Sequence, residues 1–369
     1  MDFGLSEDQQ LLQETINSFL ADQVPITRVR EIRDACEADI EGGCPNDRAI
    51  WNNLAELGVT GVLVPEAQGG SGLALLDAAL VSQSLGYAVT PTPFVTSAVM
   101  VPVALTAVGG AEAEAWLGGI ASGDIAFGMA VTEAFSIREG AGVNLDGGKL
   151  NGKAMMAMDS LNADFILVTI GTDKYAVVRA DADGLTKERL ITTDLTRCTS
   201  ELSFEGVTPE AVHEDQGETI RRMFEAGRIA LAADTLGACE SMIEQSVAYA
   251  KERKQFDRAI GSFQAVKHMC AEMIADLEPT RSLVWYAAHS WDAMPEEAPL
   301  MACHALAHSA EVGREIASVS TQVHGGIGWT DEQNLHFWFK RIGASRHMLG
   351  GPEYLRNCAA ELQGLAAAS

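Results

Sequence analysis

Three short stretches carry residue types suited to a nucleotide diphosphate. Arg253-Lys254-Gln255-Phe256 is followed closely by Ile260-Gly261-Ser262-Phe263-Gln264, and Gln322-Val323-His324-Gly325-Gly326-Ile327-Gly328 comes later in the chain. Each joins a cation, an amide side chain or an approachable glycine backbone to long helical flanks. A guanidinium makes paired, charge-assisted hydrogen bonds to phosphate oxygens, and amides at a helix end favour the same negative charge. Glycine removes the Cβ that keeps main chain away from a ligand. Together these are the parts that hold a diphosphate and an adenine at helix ends.

The elements that must position these stretches are helical. From about Glu218 the chain reads as Thr219–Ala250, Ser262–Trp291 with a kink expected at Pro279, Pro299–Val323 and Asn334–Met348. Four long helices with short connections predict an antiparallel bundle over 216–369. The N-terminal region, 1–124, is also helical. Ser6 and Gln9 make a capping box ahead of a stripe of Leu12, Ile16, Phe19 and Leu20. Helices are expected again over Ile50–Leu57, Asp77–Leu85 and Ala98–Val108. The glycine-rich stretch Gly61–Gly72 is expected as a surface loop. Between these regions, 125–215 changes character. Ala126–Val131, Lys149–Met158, Phe165–Ile170, Tyr175–Ala180 and Glu201–Glu205 are short β-prone runs, with Asp146-Gly147-Gly148 and Gly171-Thr172-Asp173 as turns. The fold class is therefore α+β, mainly α: a helical domain, a small β-barrel or sandwich, and a four-helix bundle.

Composition narrows the partners. With 26 basic and 51 acidic side chains among 369 residues, the formal charge is 26 − 51 = −25. Such a surface repels nucleic acid and anionic membrane. A CoA thioester is also a polyanion and needs local cations to overcome that field. No run approaches the ~18 apolar residues of a membrane span. Met1 leads straight into Asp2-Phe3-Gly4-Leu5, and the seven cysteines show no C-x-x-C. The expectation is a cytoplasmic protein with reduced, packed thiols and no metal site.

Over essentially its whole length the chain resembles the acyl-CoA dehydrogenase family. Pro65-Glu66-Ala67-Gln68-Gly69-Gly70-Ser71-Gly72 is similar to that family's P-E-x-x-G-G-x-G loop, and Asn151-Gly152-Lys153 to its N-G-x-K turn. Arg253 to Gln264 resembles R-x-x-F-x-x-x-I-G-x-F-Q, with Phe256 as its first aromatic, and Gln322 to Gly328 resembles Q-x-x-G-G-x-G. The resemblance implies FAD bound between the β-domain of one subunit and the bundle of its neighbour. It implies that Arg253 pairs with the diphosphate, that Phe263 and Gln264 meet the adenine end, and that Gln322, Gly325 and Gly326 line the pyrophosphate. Val131-Thr132-Glu133 resembles the T-E pair, whose threonine meets the flavin ring. The G-S-D that follows in the family reads Ser136-Ile137-Arg138 here. The later ring strand reads Met155-Met156-Ala157-Met158, methionines better suited to core or interface.

The family's base is missing. Dehydrogenation at Cα–Cβ needs a carboxylate to take the α-proton. The family draws this glutamate from a Y-E-G-T turn, which aligns with Leu349-Gly350-Gly351-Pro352, or from an E-R pair, which aligns with Gly227-Arg228. Both positions are glycine. Glu225 lies about 200° round the helix from Gly227. Glu353 and His347 flank Gly350 in sequence. The plain reading of all three is an exposed or capping residue. The Leu-Gly-Gly-Pro turn resembles one subunit of the heteromeric bacterial acyl-CoA dehydrogenases that act on steroid side chains, α2β2 assemblies in which only one chain type supplies the base. The resemblance thus implies one subunit of an FAD-dependent acyl-CoA dehydrogenase in lipid or steroid catabolism. Its implied partners are an acyl-CoA substrate, a homologous subunit in a heterotetramer or a homo-oligomer, and an electron-transfer flavoprotein or similar acceptor. Two alternatives stand beside it: a flavin monooxygenase or oxidase relative using His347 or no protein base, and a structural subunit that binds no flavin.

Overall fold

The computed structural model describes residues 4–39, 46–135 and 139–365. Its first helices are α1 (Glu7–Gln23), α2 (Ile26–Ala38), α3 (Arg48–Glu56), α4 (Leu75–Tyr87), α5 (Val101–Val108) and α6 (Ala111–Ala121), with a buried π-helical stretch at Phe94–Met100 leading into α5. Eight strands follow: β1 (Phe127–Ala130), β2 (Gly142–Asp146), β3 (Lys149–Met158), β4 (Phe165–Ile170), β5 (Lys174–Arg179), β6 (Leu185–Arg189), β7 (Thr199–Val207) and β8 (Ala211–Glu214). Then come α7 (Glu218–Glu252), a hairpin of β9 (Lys254–Gln255) and β10 (Arg258–Ala259), α8 (Gln264–Ala293), α9 (Ala298–His324), α10 (His336–Ser345) and α11 (Pro352–Leu362). The chain forms two compact units. One comprises Met1–Thr27, Ala79–Thr90 and Arg228–Ser369, the other Arg28–Ala78 and Pro91–Gly227.

In the second unit the strands make one sheet in the order β6-β7-β3-β1-β4-β5-β8, with β2 added to β3. Every pairing is antiparallel except β1 on β4. Val143, Leu150, Ala154, Ile166, Val168, Val178, Leu202 and Phe204 converge from five of the strands on a shared core. The loop Gly61–Gly72 is less superficial than its glycines suggest. Val62 and Val64 are buried, and a Cβ on Gly70 would fall 2.1 Å from the Val64 carbonyl oxygen. At Gly70 the missing Cβ permits a close chain crossing, while Glu66, Ala67, Gly69, Ser71 and Gly72 are exposed as the sequence reading expects.

In the first unit the capping box forms. Ser6 Oγ accepts from the Gln9 amide at 3.2 Å, and Gln9 Oε1 accepts from the Ser6 amide at 3.1 Å. Ile16 and Leu20 are buried on the expected stripe. Two glycines let α4 and α7 touch backbone to backbone: a Cβ on Gly86 would lie 2.0 Å from the Asp234 carbonyl oxygen, and one on Gly237 1.8 Å from that of Gln83. At this crossing, the buried Arg341 of α10 pairs with buried Asp234 at 2.6 Å and donates to the Thr90 carbonyl at 3.0 Å. Removing one partner of such a pair costs ~3–5 kcal/mol, so α10 is firmly pinned. α8 carries Pro279 inside one helix, as the sequence reading has it. One detail departs from that reading: the stretch read as Asn334–Met348 is a ten-residue helix followed by a turn and a separate α11.

Candidate functional site

α7 ends at Glu252, and its last turn sets up the hairpin: the Arg253 amide donates to the Tyr249 carbonyl at 2.8 Å, and the Ile260 amide to the Arg253 carbonyl at 2.8 Å. The turn itself is Phe256-Asp257, with φ of 53° and 60°. Both residues are left-handed, a conformation unfavourable for a bulky L-residue, and the Phe256 ring is 87% exposed. That ring stands edge-on to Phe263 at 6.2 Å between centroids, and the Arg258 guanidinium lies 3.9 Å from the centre of the Phe263 ring. Gly261 is required locally, because a Cβ there would come within 2.9 Å of the Ala250 carbonyl oxygen. Phe263 occupies the N-cap of α8 without any side-chain cap bond. The first amides of a 30-residue helix therefore open beside Gln264 and the hairpin.

The hairpin is also a cationic patch. Lys251, Arg253, Lys254 and Lys267 are all exposed, and none finds an acidic partner among the described residues. In a chain of charge −25 this is local positive potential with no paired carboxylate to neutralise it.

The Gly-Gly bend is brought to the same end of the bundle. Tyr249, one turn before Arg253, stacks on His324 at 4.6 Å and 25°. His324 immediately precedes Gly325, at φ 66°. Its Nδ1 lies 2.8 Å from the Ser320 carbonyl, which fixes the proton on that nitrogen, and burial lowers its pKa below the ordinary histidine value. Gly326 differs from its neighbour: its φ is unremarkable, and a Cβ on it would meet nothing within 4 Å. Nothing among the described residues requires glycine there, so the open space suits a group from outside. Arg253, Phe256, Phe263 and Gln264 thus sit on one hairpin and helix start, and Gln322, Gly325 and Gly326 are joined to them through Tyr249 and His324. Neither of those linking residues, nor Arg258, stood out in the sequence. The signal available was an aromatic one helical turn before the arginine and a histidine beside the glycines.

The ring-side residues lie in the other unit. Thr132 is half-buried, its hydroxyl 3.5 Å from the Met156 carbonyl, and Glu133 accepts a 2.7 Å hydrogen bond from the Met155 amide. Met156 adopts φ 59° where the β3–β7 register shifts between Ala154 and Ala157. Met155 and Met156 are half-buried and Met158 is buried. Ser136-Ile137-Arg138 lies outside the described residues.

At the two base positions no carboxylate stands. Gly227 is buried within α7. Glu225, expected as exposed or capping, is instead buried; Arg221 pairs with it and Arg222 Nη1 lies 3.7 Å from its Oε2. Glu353 is exposed in the first turn of α11, 3.7 Å from Arg346, and His347 is exposed. Leu349 and Gly350 are both left-handed, at φ 51° and 99°. Buried Arg228 secures this turn, its Nε donating to the Leu349 carbonyl at 3.0 Å.

Comparison with known proteins agrees with this layout. Residues 6–124 match the model for the acyl-CoA dehydrogenase N-terminal domain, and residues 215–363 the model for the acyl-CoA dehydrogenase C-terminal domain. The chain is 31% identical to the acyl-CoA dehydrogenase IpdE2 of Mycobacterium tuberculosis over 364 residues, 96% of this chain and 98% of that one. Among solved structures, it superposes on a chain of the ChsE4-ChsE5 complex from Mycobacterium tuberculosis with a TM-score of 0.88 at 26% identity, covering 100% of both. It superposes on a variant of the Tcur3481-Tcur3483 steroid ACAD with a TM-score of 0.86 at 27% identity, over 98% of this chain and 99% of that one.

Proposed function

Since the chain belongs to the acyl-CoA dehydrogenase family, oxidoreductases acting on a CH–CH bond with a flavin acceptor, we propose that it is the base-lacking half of a heteromeric enzyme. In this reading the α,β-dehydrogenation of a CoA thioester, of the steroid side-chain class, relies on a homologous partner subunit for the glutamate. The observation that carries it is the contrast between the two ends of the site. Open glycine, uncompensated cations and an uncapped helix start remain at the nucleotide end, whereas glycine replaces the base at both 227 and 350.

FAD fits the residues present at the bundle end. Arg253 would take the diphosphate, with Gln322, Gly325 and Gly326 admitting it closely and Phe256, Phe263 and Gln264 flanking the adenine. When bound, FAD supplies the hydride acceptor. This chain's own contribution is binding and orientation: a guanidinium at the diphosphate, and a glycine bend that lets the main chain close on it. Thr132 would meet a flavin ring only weakly, because the neighbouring strand carries Met155 and Met156. We read 1–124, 125–215 and 216–369 as the helical, β and bundle domains of this arrangement. An electron-transfer flavoprotein or similar acceptor would reoxidise the enzyme, in the cytoplasm. Among the described residues no helix is long and apolar enough to cross a membrane.

The test is anaerobic mixing with an acyl-CoA. The chain purified alone should show no bleaching of flavin absorbance, and the same chain co-purified with its homologous partner should bleach. Bleaching by the isolated chain would remove the proposal. A complex that bleaches equally well with this chain's flavin-binding end deleted by mutation would reduce the chain to a scaffold.

A further inference from the structure

The base position at Gly350 is not an empty notch. A Cβ built on Gly350 would lie 2.6 Å from Cδ1 and 3.2 Å from Cε1 of Tyr354, with Leu355 Cδ2 at 3.5 Å. Real Cβ atoms do not approach a ring so closely, so a side chain at 350 and the Tyr354 ring exclude each other. The ring is held in place by an arginine. The Arg228 guanidinium lies 5.9 Å from the Tyr354 ring centre, while its Nε secures the Leu349 carbonyl at 3.0 Å. One buried side chain therefore fixes both the turn and the aromatic cover laid over it. The helix start adds rigidity: Pro352 is at the head of α11, which carries Tyr354 in its first turn.

We propose that Tyr354 occupies the place of the family's glutamate side chain and, as a positioning residue, closes this chain's own base position to an acyl thioester. The inference rests on the reading that the base comes from the partner, and deepens it: the site is covered as well as stripped of its carboxylate. Tyr354 is 38% exposed, and its partial desolvation, together with the adjacent Cys358 thiol, outweighs the opposing Arg228 guanidinium and raises the phenol above its ordinary pKa. The ring is thus neutral at neutral pH and acts by occupying space, not by taking a proton.

Two measurements on the purified chain test this. Octanoyl-CoA binding, followed by titration calorimetry, should tighten by about tenfold or more in Tyr354→Ala relative to wild type. Tyr354→Phe, which keeps the ring, should bind as wild type does. Should Tyr354→Ala fold poorly, Tyr354→Val removes the ring with less loss of packing and should show the same gain. In parallel, Gly350→Ala should lower the melting temperature by more degrees in the wild-type chain than in the Tyr354→Ala background, and the difference between the two penalties isolates the clash with the ring. The left-handed φ is common to both backgrounds and cancels. Affinity unchanged in both small variants, or equal Gly350→Ala penalties in the two backgrounds, overturns the cover while leaving the partner-supplied base intact. Flavin bleaching by the isolated wild-type chain strikes the partner-supplied base itself, so the two failures are distinguishable.

Discussion

Gly325 and Gly326 stand side by side, yet for different reasons. Gly325 satisfies its own backbone, at φ 66°, and any other residue there is strained. Gly326 has no such need, and a Cβ on it would meet nothing within 4 Å. Gly326→Ala should therefore leave the unfolding free energy within ~0.5 kcal/mol of wild type, while lowering FAD retention in the assembled enzyme. Parallel chemical denaturation and flavin release would show it, and a variant that keeps its FAD would mean that nothing approaches this glycine. Arg253 is the complementary case. It is exposed and makes no ion pair among the described residues, so the fold does not depend on it. Arg253→Ala should weaken FAD retention by ~1.5–3 kcal/mol, the scale of a lost charged hydrogen bond, with no change in melting. Unchanged FAD content would remove the diphosphate assignment.

At the scale of elements, the ends of α7 and α9 meet through the Tyr249–His324 stack, and this contact is sensitive to pH. Burial lowers the His324 pKa below its ordinary 6.5, so the folded state prefers the neutral ring. The unfolded chain then binds more protons than the folded one below that value. The stability His324 allows is fully present above about pH 6.5 and lost as the pH falls below it. His324→Phe keeps the stack and has nothing to protonate, so it should flatten the fall in unfolding free energy between about pH 6.5 and 5. An unchanged slope would assign the acid sensitivity elsewhere, His213 being another histidine whose pKa is lowered by burial. Neither the stack nor the Tyr354 cover was legible in the sequence, because both depend on helices meeting. What was legible came from periodicity and turn chemistry: the long α7, α8 and α9, the first capping box, and β3, β4 and β5 with their glycine turns. Among the described residues the strand β6, Leu-Thr-Lys-Glu-Arg, pairs only with β7 and is nowhere fully buried, and it carries no apolar alternation to read. α11 starts directly after the left-handed Leu349-Gly350 turn, which breaks the helical periodicity ahead of it, and Glu225 is buried by pairing with Arg221 and Arg222, a contact that no apolar pattern signals.

For the whole molecule, the division of labour has a stoichiometric consequence. A net charge of −25 makes this chain a poor host for a dinucleotide unless a local patch opposes the field, and the hairpin after α7 is such a patch. It can grip the diphosphate of one flavin. The ring would then need a well-formed cradle, and here the ring strand bends at a left-handed Met156 while Glu133 is already engaged by the Met155 amide. A partner that keeps both cradle and glutamate would hold the ring of that same flavin. Assembly should therefore yield one FAD for each pair of unlike chains, where a homo-oligomer of complete subunits would carry one per chain. Native mass measurement of the co-purified complex, combined with flavin released on denaturation, gives the ratio directly. Arg253→Ala in this chain should lower that ratio even though the flavin ring rests on the partner. Disabling the partner's glutamate should abolish turnover without changing the ratio. A ratio of one FAD per chain, or one that ignores Arg253→Ala, would mean that each chain houses its own flavin and that the glycines at 227 and 350 need another explanation.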